Sequence, residues 1–325
     1  TMIAHILLYG AEVWGVENGE VIDKFQLKFL KLILKLKSCT PNCMLYGELG
    51  VLPMSIHIKN RVLNYWCKLI TSKEDKICNI LYRTCFNLYT NRNLGFSWLS
   101  YVHDSLNKLG LTYIWFDQKI QSPSSFKLVT KDRIKDQFVQ NWNEKIGVSS
   151  KCLNYRMYKH DFAFEKYFHV LPTDLAISLC SFRLMGHKLP IEKGRFEGVA
   201  HELRTCNLCG DNLLGDEFQY LFRCEYFYDD RVKYVEECFY TLPTAMKLFR
   251  LMNNENKYTL LKLAIFCKKI VSCIKKCFQR TLEYKNYNIW FCDRKEYRIL
   301  CWFWTYLWIY RSSRSSWKKK SIQRL

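Results

Sequence analysis

The pattern Cys206-x2-Cys209-x9-Gln219-x4-Cys224 constrains this chain most. Two thiolates two residues apart, with a third across a short polar loop, are spaced as in a small metal knuckle. A turn of that length lets both sulfurs of the Cys206/Cys209 pair reach one ion at about 2.3 Å. The loop Gly210-Asp-Asn-Leu-Leu-Gly215 carries the Gly and Asx residues such a turn needs. The spacing asks for His at position 219, where the chain has Gln219, and a neutral amide is a poor zinc ligand beside thiolate or imidazole. His201, five residues before Cys206, is the nearest substitute fourth ligand, with His187 and Cys238 as further options. The readings left open are a zinc site, a knuckle-shaped fold without stable metal, and structural cysteines. Zn2+ is the one cofactor the residues point to.

A second line comes from motifs on either side. Arg183-Leu-Met-Gly-His187-Lys-Leu-Pro-Ile-Glu192-Lys-Gly-Arg195, then the cysteines, then Asp216-Glu217-Phe218-x-Tyr220-Leu221-x-x-Cys224, form one block. Ile6-Leu-Leu-Tyr9-Gly10-Ala-Glu12-Val-Trp14-Gly15, Tyr46-Gly47-Glu48-Leu49-Gly50-x-x-Pro53 and Tyr65-Trp66-Cys67-Lys68-Leu69 precede it. Over roughly residues 3 to 275 the chain resembles the thumb and zinc-knuckle region at the C-terminal end of LINE-type, non-LTR retrotransposon reverse transcriptases. That family places His where this chain has Gln219. The resemblance implies that the polymerase palm, with its carboxylates, and any endonuclease domain precede residue 1, so no polymerase or nuclease chemistry is expected here. It also implies that the region holds template RNA and target DNA, with Arg183 and Arg195 in structural or nucleic-acid-positioning roles.

Composition agrees with a polyanionic partner. The 325 residues carry 50 Lys and Arg against 30 acidic residues, a net charge of +20, and such an excess favours nucleic acid through counterion release. Lys24, Lys28, Lys31 and Lys35 recur every three or four residues on one predicted helix, either as a solvated face or as a rail for phosphates. Residues 151–170 interleave aromatic and basic side chains, Arg156 and Lys159 among them. They read as a helix with an aromatic core face, or as a platform on which single-stranded bases stack. RNA or single-stranded DNA is the expected partner, and no small-molecule substrate is indicated. The rival class is a degenerate remnant or a helical protein-interaction scaffold.

The expected fold is mainly α, a multi-helix array with a small Cys-rich, zinc-knuckle-like insertion. Residues 1–120 read as a helical thumb-like region and 121–128, containing Gln121-Ser-Pro-Ser-Ser125, as a linker. Residues 129–282 read as a helical C-terminal region containing the knuckle at 206–224, and 283–325 as a basic, aromatic, poorly ordered tail. Glu17-Asn18-Gly19 signals a turn. Pro53 opens a helix over 55–72 with Ile56, Ile58, Val62, Leu63, Trp66, Leu69 and Ile70 inward, and Pro172-Thr173-Asp174 caps another. Phe227-Tyr228-Asp229-Asp230 imitates a polymerase metal motif, but an Asp pair at that place suits the positive end of a helix. The sixteen cysteines follow no secretory signal and read as mostly buried free thiols of a reducing, intracellular setting, nucleus or cytoplasm. The apolar run 299–310 is too short for a bilayer, which needs about 20 residues. Thr1 is not an initiator, so an upstream reading frame is expected.

Overall fold

Polar side chains on the first long helix set the start of the next one. Helix Met54–Thr71 follows Pro53, which has no side chain able to cap it. Asp23, from helix Ala11–Ile33, accepts from the Ser55 amide (2.9 Å) and hydroxyl (2.5 Å). Gln26 accepts from the Met54 amide and donates to the Leu52 carbonyl, both at 3.1 Å. Orphan amides of a helix start are thus satisfied from a neighbouring helix, and the two helices are locked side by side. The computed structural model describes the backbone of residues 2–292 except Asn93, and side chains from 4 to 276 apart from that residue.

The chain divides into two units, residues 1–271 and 272–325. Of the second unit, only the end of helix Lys257–Cys292 is described; residues 293–325, most of the predicted tail, lie outside the described residues. The first unit is helical, as expected. Among the described residues, extended pairing is limited to two antiparallel bridges, Leu49 with Phe164 and Thr205 with Leu214. Helix Met54–Thr71 presents Ile58, Val62, Leu63, Trp66 and Leu69 to one core, and the other two residues predicted inward, Ile56 and Ile70, pack against it only partly buried. Ile22, Leu99, Val102, Leu106, Phe126 and Ile134 join it from three other helices. Trp66 stacks on Trp115 with centroids 6.1 Å apart, and its indole donates to the Tyr82 hydroxyl at 2.8 Å.

Two local expectations fail here for instructive reasons. Glu17-Asn18-Gly19 is no turn: helix Ala11–Ile33 runs through it. A mid-helix glycine costs about 1 kcal/mol, which burial of Ala11, Gly15, Ile22 and Gln26 on this helix offsets. Nor is 121–128 a linker. Helix Pro123–Val148 starts within it, with Pro in the first turn and the Ser122 hydroxyl accepting from the Ser125 amide at 3.3 Å. Pro and Ser serve helix starts as readily as linkers. Phe126 then packs into the core with Trp66, so no boundary falls at this point.

The stretch 151–170 is likewise not one helix. It breaks into short turns, Tyr155–Tyr158 and Tyr167–Val170, joined by extended chain. The cause is a buried ionic cluster that the sequence did not announce. Arg183, fully buried at the end of helix Thr173–Arg183, donates to Glu48 Oε1 at 2.5 Å, Glu165 Oε2 at 2.9 Å and the Met252 carbonyl at 2.9 Å. Tyr167 donates to the same Glu48 oxygen at 2.8 Å, and Lys159 pairs with Glu165. The Tyr158 and Tyr167 rings flank the guanidinium at 4.7 and 5.3 Å. A charge taken this far out of water is tolerated only when paired and hydrogen-bonded, so the backbone bends to bring these groups together. Gly50 permits it: its φ is +56°, and a Cβ there would lie 2.4 Å from the Phe164 amide nitrogen.

Candidate metal centre

Residues 204–216 form a tight loop. The Cys206 amide donates to the Leu213 carbonyl (2.7 Å) and the Gly215 amide to the Arg204 carbonyl (2.8 Å). Asn212 takes the left-handed conformation, φ 53°, which asparagine tolerates better than most residues. Gly215 is packed so closely that a Cβ would sit 2.9 Å from Pro190 Cβ and Cγ. The Arg204 guanidinium donates to the carbonyls of Val199 and Ile191, fixing the preceding turn. Asp216 accepts from the Gln219 amide at 2.9 Å and starts the turn that carries Gln219–Arg223 as a π-helix. Arg231 closes the far side, donating to the carbonyls of Leu221 (3.0 Å) and Cys224 (2.6 Å).

This scaffold brings Cys206, Cys209 and Cys224 together, with all three Sγ atoms within 4.8 Å of one another. The Cys206 and Cys224 sulfurs are 3.8 Å apart. Two sulfurs on a tetrahedral zinc, each about 2.3 Å from it, are separated by about 3.8 Å, so this pair already spans one edge of such a site. Three of the four corners fit a thiophilic ion, and the loop would hold it through these sulfurs. Gln219 lies beside Cys209. It is buried, and its Nε2 lies 3.5 Å from Cys209 Sγ. The position singled out by the spacing thus lies against the cysteine cluster.

The electrostatics favour an anionic sulfur. Hydrogen bonding from the Cys224 thiol lowers the Cys206 pKa to about 4 against the opposing effect of burial. Tyr220 and the amides of Cys209 and Leu208 add to the lowering. Cys224 is pushed up by its bond to Cys206, then by burial, and Cys209 is raised by burial first. The pair therefore shares one proton, which a bound cation would displace.

The other ligand options are placed elsewhere. Among the described residues the group that gathers is the three cysteines, without His201, which is exposed in the turn His201–Leu203. Buried His187 bonds Glu217 at 2.8 Å. Glu217 also accepts from Asn154, and it is held below the usual carboxylate range because these bonds outweigh burial. Cys238 is exposed. Asp229 and Asp230 lie in the first turn of helix Tyr228–Tyr234, as expected, and Asp230 pairs with Lys269 at 2.5 Å.

The predicted nucleic-acid residues divide sharply. Lys24, Lys28, Lys35 and Arg156 are exposed, with Lys35 4.0 Å from an equally exposed Asp174. Lys31 is not part of a phosphate rail. Its Nζ donates to the carbonyls of Ser38 and Thr40, both at 2.8 Å, and to Asn42 Oδ1 at 2.9 Å, closing the helix end. Buried Lys159 and Arg183 belong to the ionic cluster and cannot reach a phosphate. Arg195 is ion-paired with Glu192 at 2.7 Å, off hydrogen-bond alignment, on the turn that docks the knuckle. The cysteines differ too: among the described residues none is disulfide-bonded, yet Cys39, Cys78 and Cys238 are exposed. No described helix is long and apolar enough to cross a membrane. No protein-family model, curated protein or solved structure matches the chain.

Proposed function

We propose that this chain is a nucleic-acid-binding region of the kind found at the C-terminal end of a LINE-type, non-LTR retrotransposon reverse transcriptase. Its role is binding rather than catalysis, and it acts inside the cell. The observation that carries the reading is the gathering of Cys206, Cys209 and Cys224 about one point, on the spacing that first suggested the family. The net charge of +20 supports it. Zinc is the ion proposed for the three thiolates. Lys24 and Lys28 on the first long helix, and Lys35 in the turn just beyond its end, are the proposed phosphate contacts, with Arg156 as a further exposed cation.

The test is binding of a fluorescent single-stranded RNA or DNA oligonucleotide across a salt series. Each phosphate contact on a single strand contributes about −0.7 to the slope of log K against log salt. Replacing Lys24, Lys28 and Lys35 together by Gln should flatten the slope by about 2. A wild-type affinity that ignores salt would overturn the proposal. A second reading, a remnant or protein scaffold without metal, draws on Gln219, whose amide nitrogen faces Cys209 where a ligand is needed. That reading predicts zinc uptake by Gln219→His alone.

A further inference from the structure

The knuckle does not account for a second pair of facing thiols. Cys43 and Cys152 lie 109 positions apart in sequence, yet their sulfurs are 3.9 Å apart. Both are free. Cys43 is partly exposed near the start of helix Asn42–Leu49, and Cys152 is fully buried at the turn Ser150–Cys152. Neither position has room to drift. The Cys43 carbonyl accepts from the Trp142 indole at 2.8 Å, and the next carbonyl, Met44, accepts from the Tyr155 hydroxyl at 3.1 Å. The Cys152 amide donates to the Ser149 carbonyl at 2.9 Å.

We propose that Cys43 and Cys152 form a peroxide-sensitive dithiol, which oxidises to a disulfide joining helix Asn42–Leu49 to the turn at 150–152. The solvent-reachable partner is also the more acidic one. A hydrogen bond from Cys152 brings Cys43 down to about 7, helped by the amides at the helix start and by the Lys145 charge, with burial opposing. Cys152 is pushed up by the same bond and by burial. A thiolate that an oxidant can reach, with a resolving thiol beside it, is the arrangement of redox-sensing cysteines.

The chemistry balances with hydrogen peroxide as oxidant. The Cys43 thiolate attacks one peroxide oxygen, the O–O bond breaks, and hydroxide leaves to be protonated to water. Cys43 is now a sulfenic acid. The Cys152 sulfur attacks the Cys43 sulfur, the S–O bond breaks, and the hydroxide released takes the Cys152 proton as a second water. The two sulfurs lose two electrons in all, and the peroxide gains them. Cys206 and Cys224 are as close, at 3.8 Å, so the test must identify the linked residues. It does not depend on whether the knuckle holds metal or the chain binds nucleic acid.

The reduced full-length chain is exposed to hydrogen peroxide, alkylated, digested without reductant and mapped by mass spectrometry. The proposal expects a peptide pair linked through Cys43 and Cys152, abolished by dithiothreitol. In Cys152→Ser, whose hydroxyl keeps a donor beside Cys43 but cannot form a disulfide, it expects Cys43 to persist as a sulfenic acid trapped by dimedone, at several times the wild-type yield. In Cys43→Ser it expects Cys152 to stay alkylatable. Wild-type Cys43 advancing to sulfinate, or remaining a thiol, while Cys152 stays reduced would overturn it. So would dimedone trapping equal in wild type and Cys152→Ser.

Discussion

Arg183→Met removes a charge that the fold is built around. In the wild type, the guanidinium gives hydrogen bonds to Glu48, Glu165 and the Met252 carbonyl, with no exposure of the Arg183 or Glu48 side chains. Methionine fills much of the space but strands the Glu48 carboxylate, leaving the Tyr167 hydroxyl to satisfy it. Breaking a buried pair by removing one partner costs about 3–5 kcal/mol. At about 2–3 °C per kcal/mol for a unit this large, the midpoint of thermal unfolding should fall by roughly 6–15 °C. Arg183→Lys should lose most of the same stability, because an ammonium cannot fork between two carboxylates and a carbonyl. The double variant Arg183→Met, Glu48→Leu should be more stable than Arg183→Met alone, since an ion pair replaced whole by apolar groups is often tolerated. Circular dichroism melts give the midpoints, and oligonucleotide binding well below them gives the affinity. A midpoint within about 1 °C of wild type, together with weakened oligonucleotide binding, would refute the reasoning, because it would put the guanidinium at the surface.

Three further outcomes follow from particular contacts. Gly50→Ala should cost about 2–5 kcal/mol, adding left-handed strain to overlap with Ala163 and Phe164, as read by urea unfolding. Gly215→Ala should push the loop off Pro190, at about 1–3 kcal/mol, and weaken any zinc affinity measured by competition with a chromophoric chelator. Burial, then repulsion from Glu217, raises the Asp216 pKa from 3.8 to about 6. A carboxyl whose folded pKa lies above its unfolded value favours the fold when protonated, so its support is present below about pH 4 and lost by about pH 6. The difference of about 2 units corresponds to about 3 kcal/mol. Asp216→Asn keeps an oxygen for the Gln219 amide and should abolish most of that loss between pH 4 and 7, as followed by chemical unfolding at each pH.

Much of this architecture is written locally. The body of helix Met54–Thr71 follows from apolar spacing, and Asp229 and Asp230 fall where a helix start favours carboxylates. The three cysteines were legible because two of them share a turn and the third lies one short loop away. The failures around the ionic cluster share one cause, partners distant in sequence. Arg183 looks like a surface cation until Glu48, 135 positions earlier, is seen beside it. Lys159 and Glu165 are drawn in by the same group, and the helical pattern around them yields. Ser122 and Pro123 were ambiguous because linkers and helix starts use the same residues, and only the burial of Phe126 decides between them. A sharper reading of Glu48 was available: a carboxylate within Met44-Leu-Tyr-Gly-Glu-Leu49, otherwise apolar, needs a buried cation.

The zinc content of the purified full-length chain, measured by elemental analysis beside Cys206→Ser and Gln219→His, tests the metal centre most directly. The account predicts about one zinc per chain in the wild type, little in Cys206→Ser, and tighter retention in Gln219→His. A wild-type chain without zinc after purification and reconstitution under reducing conditions would contradict it.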